Sequence, residues 1–169
     1  MDPAGDLTSL VGPEDGQKAM IRVSSKALTL ASPGFAALVS PKFAEERALA
    51  SNTITGATTS IPLPEDDPEA TKWFCRALHS KLNANKQEMS CGLCHQLSII
   101  CDKYDASVAT SGWSRLYMNE WMQTIEGGPE PRMLCAAYAF GDHQAFWSVI
   151  KKILQFCGPD DMTILAEEL

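Results

Sequence analysis

Residues Ile21 to Phe35, IRVSSKALTLASPGF, contain the change of period on which the fold turns. Ile21 and Val23 alternate with Met20 and Arg22, the two-residue period of a strand with one buried face. Ser24 or Ser25 then stands where a helix N-cap belongs, its hydroxyl placed to accept a free amide of the first turn, and KALTLA continues at helical spacing. Pro33 stops that run, because proline disfavours helical geometry in the residue before it. Phe35, Leu38 and Val39 resume the helical period, so two short helices are expected to meet at Ser32-Pro33.

Upstream, the apolar run Leu7 to Val11, the turn segment GPEDG (Gly12 to Gly16) and Ala19 complete a β-hairpin. Downstream, Ser51 to Ser60 is rich in small and hydroxyl residues and reads as a loop, after which Ile61 and Leu63 make a short third strand. Asp67 as cap, Pro68 at the first helical position and Glu69 against the helix dipole mark a helix start. That helix is expected to bury Trp73, Phe74, Ala77 and Leu78, and the next one Leu93, Leu97, Ile100, Cys101 and Tyr104. Further helices carry Trp113, Tyr117 and Trp121 beside Met118, Met122 and Ile125, then a run opened by Pro131. The last contains Phe146, Val149, Ile150, Ile153, Leu154 and Cys157, and ends at Gly158-Pro159. A hairpin, two short helices, a third strand and a series of helices give an α+β class, with no internal repeat.

The chain's 169 residues, 45% hydrophobic and 21% charged, suit one buried core without metal or disulfide staples. A net charge of -7 repels phosphate backbones, and with no Lys/Arg cluster to offset it nucleic acid is not an expected partner. No stretch approaches the roughly 20 apolar residues of a membrane span and no basic, apolar leader opens the sequence, so a cytoplasmic or nuclear location is expected. In that setting the six cysteines are expected to be reduced thiols.

Cys91 to His95, CGLCH, has the pattern of a haem attachment or a thiol redox motif. Haem attachment calls for an exported chain and a second axial ligand, and a redox motif follows a strand, whereas this segment opens an apolar helix. Cys91, Cys94 and His95 are weak zinc candidates that lack the fourth ligand a structural site needs, unless Cys75 or Cys101 supplies it. The acidic run Glu65, Asp66, Asp67 and Glu69 is explained by capping and the helix dipole. Asp142-His143 has no positioned nucleophile beside it, and neither GxGxxG nor GxxxxGK[ST] occurs. No cofactor and no catalytic residue are nominated, and the chain is expected not to be an enzyme.

The segment Ile21 to Phe35 resembles the signature of the BTB/POZ family, with Leu28, Ser32 and Phe35 at its leucine, Ser-Pro and phenylalanine positions. Gly5-Asp6 before the first strand, IPLPEDDPEA (Ile61 to Ala70) and DKYDA (Asp102 to Ala106) agree in order, and LTLASPGF (Leu28 to Phe35) together with IPLPEDDPEA resembles the fungal BTB-domain proteins most of all. The resemblance implies a BTB/POZ-like domain over residues 1–110 and a C-terminal helical extension over 111–169, packed on it or following it. It implies protein-protein interaction: self-association as a homodimer, or recruitment of a partner, with Asp6 and Ser24 at the interface. Ser24 stands where many family members carry histidine. Phe43-Ala44-Glu45 resembles the element with which BTB adaptors grip the cullin scaffold of ubiquitin ligases, so Phe43 and Glu45 are candidate contacts of an adaptor. A thiol redox or metal-binding protein built on Cys91 and Cys94 is the alternative of a different class.

Overall fold

The computed structural model describes residues 4–13, 15–16, 18–40, 42, 59–80, 89–124 and 130–156. Strand β1 (Leu7–Val11) pairs antiparallel with β2 (Ala19–Val23) and parallel with β3 (Thr59–Leu63), giving a mixed sheet of order β2-β1-β3. Seven helices follow among the described residues: α1 (Ser25–Ala31), α2 (Pro33–Val39), α3 (Pro68–Leu78), α4 (Cys91–Lys103), α5 (Ser107–Thr124), α6 (Arg132–Ala139) and α7 (His143–Phe156). The α+β class is therefore observed.

Alternation places Leu7, Ser9 and Val11 on the inner face of β1, where Ser9 lies between Ile21 and Ile61 on the flanking strands. The Ser9 hydroxyl is buried there and has no hydrogen-bond partner among the described residues. On the outer face Leu10 lies between Met20 and Pro62, both exposed, so among the described residues the sheet packs on its inner side.

The helix boundaries follow local chemistry. Ser24 caps α1, accepting the Ala27 amide at 3.4 Å. Ser32 closes α1 through its own amide and opens α2 by accepting the Phe35 amide at 3.0 Å, with Pro33 where no donor is needed. Asp67 caps α3 through Ala70 at 2.7 Å. Helix α4 ends in a Schellman turn with Asp105 at positive φ, its closing bond running from the Ala106 amide to the Cys101 carbonyl. Gly141 closes α6 in the same way, after which buried Asp142 caps α7 through Ala145 at 3.0 Å.

Tyr104 fastens the helix pair α1–α2 to the rest of the core. Its ring lies 4.4 Å from that of Phe35 and 6.1 Å from that of Phe74, while its carbonyl accepts the Ser32 hydroxyl and the Gly34 amide. A side chain at Gly34 would bring its Cβ to 2.7 Å from the Tyr104 backbone, so glycine sets this close approach. The phenol donates to Asp66 at 2.6 Å, and Lys103 pairs with Asp66 at 2.8 Å and Glu65 at 3.3 Å. Half of the acidic run thus belongs to this clamp rather than to capping. Burial, then Asp66, pushes the Tyr104 pKa up, so the phenol keeps its proton. Burial pulls Lys103 down, but the bonds and charges of Asp66 and then Glu65 outweigh it and the ammonium is held above its ordinary range.

The periodicity located α3 correctly but misjudged its phase. The buried residues are Ala70, Thr71, Phe74 and Cys75, whereas Trp73, Ala77 and Leu78 are half-buried. Trp73 packs at the core margin against Trp113, 6.3 Å between rings. Leu93 and Ile150 are also half-buried, and Leu154 is exposed instead of joining the core. Helix α5 runs unbroken through residues 110 and 111, α6 packs along α4, and one hydrophobic cluster extends from Leu7 to Ile153. Ile125, Cys157 and Gly158-Pro159 lie outside the described residues. Among the described residues no helix is long and apolar enough to cross a membrane.

Candidate interaction surface

The junction of β2 and α1 brings together two of the residues singled out from sequence. The Asp6 carboxylate accepts the Ser25 amide at 2.8 Å and the Ser25 hydroxyl at 2.6 Å. The hydroxyl, and then the amide, hold the Asp6 carboxyl below the usual carboxylate range. Asp6 is therefore an exposed acid whose oxygens already fix the start of α1. Next to it, Arg22 Nε donates to the Gly5 carbonyl at 2.7 Å, and a Cβ at Gly5 would meet the Val23 carbonyl oxygen at 2.4 Å.

Ser24 engages a residue that motif reading passed over. Its backbone amide donates to His79 Nε2 at 3.0 Å, while His79 Nδ1 lies 2.7 Å from the Cys75 carbonyl. A carbonyl can only accept and an amide can only donate, so the imidazole is assigned as neutral with its proton on Nδ1. His79 thus ties the end of α3 to the start of α1. Its one sequence signal is a place in the last turn of a predicted helix, 55 residues from Ser24.

Beyond this junction, α1 and α2 present a surface of unusual composition. From Ala27 to Ser40 there is no charged residue, in a chain of which 21% is charged. Leu28 and Phe35 point into the core, while Leu30, 79% exposed, projects outward with Pro33, Ala36 and Ala37. Ala27, Ala31, Leu38 and Val39 fill the margins, half-buried. Depletion of charge around an exposed apolar residue is the composition of an interface core rather than of ordinary solvated surface. Phe43 and Glu45 lie outside the described residues.

The CGLCH segment forms the first turn of α4, capped by Ser90, and among the described residues the element before it is the helix α3 rather than a strand. Cys94 and Cys101 are buried and Cys91 is partly so. Burial pushes the Cys91 and Cys94 thiols up, Cys101 up to about 11, and Cys75 up to about 12. These groups are protonated thiols at neutral pH and poor nucleophiles. Burial, and then the nearby Arg132 charge, lower the pKa of His95, which favours neutral imidazole. Among the described residues no three His, Cys, Asp or Glu side chains are grouped so as to hold a metal ion. Asp142 is occupied as a cap and His143 is exposed beside it.

None of the known protein-family models matches this chain, and no curated protein is significantly similar to it.

Proposed function

We propose that this chain is a protein-interaction module of the BTB/POZ type that self-associates through the outer face of α1–α2 and catalyses no reaction. The observation that carries this reading is the uncharged surface around Leu30, held rigidly from behind by Tyr104 and at its edge by Asp6 and His79. Two further features support it. The order of hairpin, helix pair, third strand and helices follows the order of motifs on which the family resemblance rests. The thiols, moreover, are held in the form least suited to redox or metal chemistry.

Light scattering across a concentration series tests the proposal. A mass near twice the 18.4 kDa of the chain is expected as concentration rises, and a monomer at every concentration contradicts it. Adding a purified cullin N-terminal fragment tests the adaptor form of the same reading, which rests on the Phe43-Ala44-Glu45 segment. A heavier complex that is lost in Phe43→Ala is the supporting result, and indifference to the fragment removes the adaptor form.

A further inference from the structure

A second exposed apolar surface lies on α6 and α7. Tyr138 is 79% exposed, Trp147 61% and Leu154 65%. Half-buried Phe146 joins the two aromatic residues, its ring 6.3 Å from each. On α7, Trp147, Ile150 and Leu154 recur at spacings of three and four and form one stripe, opposite the core-facing Ala145, Val149 and Ile153. Exposed apolar side chains at this spacing are the anchors with which a helix engages a partner, and Trp and Tyr are the residue types that most often carry the binding energy.

Charge indicates what the partner is. The chain carries -7 overall, yet from His143 to Phe156 there is no acid, and Lys151 and Lys152 are the charged residues of the helix. Lys152 donates to the Met122 carbonyl at 2.9 Å, whereas Lys151 is exposed and lies one turn from Trp147 on the stripe side. We infer that the Tyr138–Leu154 stripe binds a short acidic segment of another protein, its apolar side chains seated on Tyr138, Phe146, Trp147 and Leu154 and a carboxylate on Lys151. A basic segment would find no acid on this helix to pair with. An anionic membrane is the weaker match: interfacial helices carry many cations on the polar face, while this helix carries two lysines, one of them engaged internally.

The test uses the full chain and two fluorescein-labelled synthetic peptides that share Leu and Phe anchors at helical spacing, one with Glu and one with Lys at the remaining positions. Fluorescence anisotropy should show the Glu peptide binding at least about tenfold more tightly than the Lys peptide, with affinity falling as salt is raised. Lys151→Glu should weaken the Glu peptide by about tenfold and Trp147→Ala by at least as much. Val108→Ser, at an exposed residue of α5, should change neither. Lys151→Glu removes no buried contact, so it reports on binding even if Trp147→Ala perturbs folding. Equal binding of both peptides, binding of neither, an unchanged Lys151→Glu variant, or preferential capture by phosphatidylserine vesicles overturns the inference.

Discussion

The two sides of the α1–α2 pair obey different rules. Inside, Ser32, Gly34 and Phe35 meet Tyr104 through directional bonds, a close backbone approach and ring packing, and Asp66 closes the arrangement from the β3–α3 turn. Outside, Leu30, Pro33, Ala36 and Ala37 meet solvent without a charge among them. The inner side needs particular atoms in particular places, and the outer side needs only to be apolar and firmly held. Substitutions on the first should therefore change stability, and substitutions on the second should change association.

The largest effect is expected at the centre of the clamp. Tyr104→Ala removes a buried ring and leaves the buried Asp66 carboxylate without its phenol donor, a loss of about 3–5 kcal/mol in urea or thermal unfolding. A variant that loses less than about 1 kcal/mol would mean that the helix pair is held elsewhere. Next comes His79→Ala, which strips the Ser24 amide of its acceptor and should cost about 1–3 kcal/mol, with His79→Gln recovering part of it if the amide oxygen reaches the same donor.

Ser9→Ala should run in the opposite direction. It removes a buried hydroxyl, between Ile21 and Ile61, that has no partner among the described residues, and a gain of about 1 kcal/mol in the unfolding free energy is expected. A loss of that size would point to a bonded hydroxyl. The smallest effect belongs to Asp6. Its carboxyl is held below its unfolded value, so its contribution is present above the unfolded pKa and is lost as pH falls through the lower, folded one. Thermal melts from about pH 5 to 3 should therefore fall less steeply for Asp6→Asn than for the parent chain. Parallel curves would show that Asp6 contributes nothing to the start of α1.

Features set by neighbouring residues were legible in the sequence. The hairpin, the cap at Asp67, the break at Ser32-Pro33 and the start after Pro131 each depend on a few consecutive side chains and appear where the pattern places them, and of the two cap candidates Ser24 and Ser25 the first is the one used. Features set at long range were not. Asp66 resembled its capping neighbours because its partner Tyr104 lies 38 residues away, and His79 looked like any helix-end histidine because Ser24 lies 55 residues back. The phase of α3 depended on which aromatic ring the core admitted, and the packing turned inward with Phe74 and left Trp73 at the margin. At the candidate surface, sequence named Asp6 and Ser24 but not their internal bonds. The absence of charge from Ala27 to Ser40 was readable, but which residues of that run face solvent required the packing.

The measurement closest to the central claim is light scattering on Leu30→Glu beside the parent chain, with a thermal melt of each. Leu30 touches solvent, so its replacement should leave the melting temperature of the monomer nearly unchanged while placing a charge in the middle of the uncharged face. The account predicts a parent chain that doubles its 18.4 kDa mass with rising concentration and a folded Leu30→Glu chain that stays monomeric. A Leu30→Glu chain that dimerises as readily as the parent, or a parent that never dimerises, would contradict it.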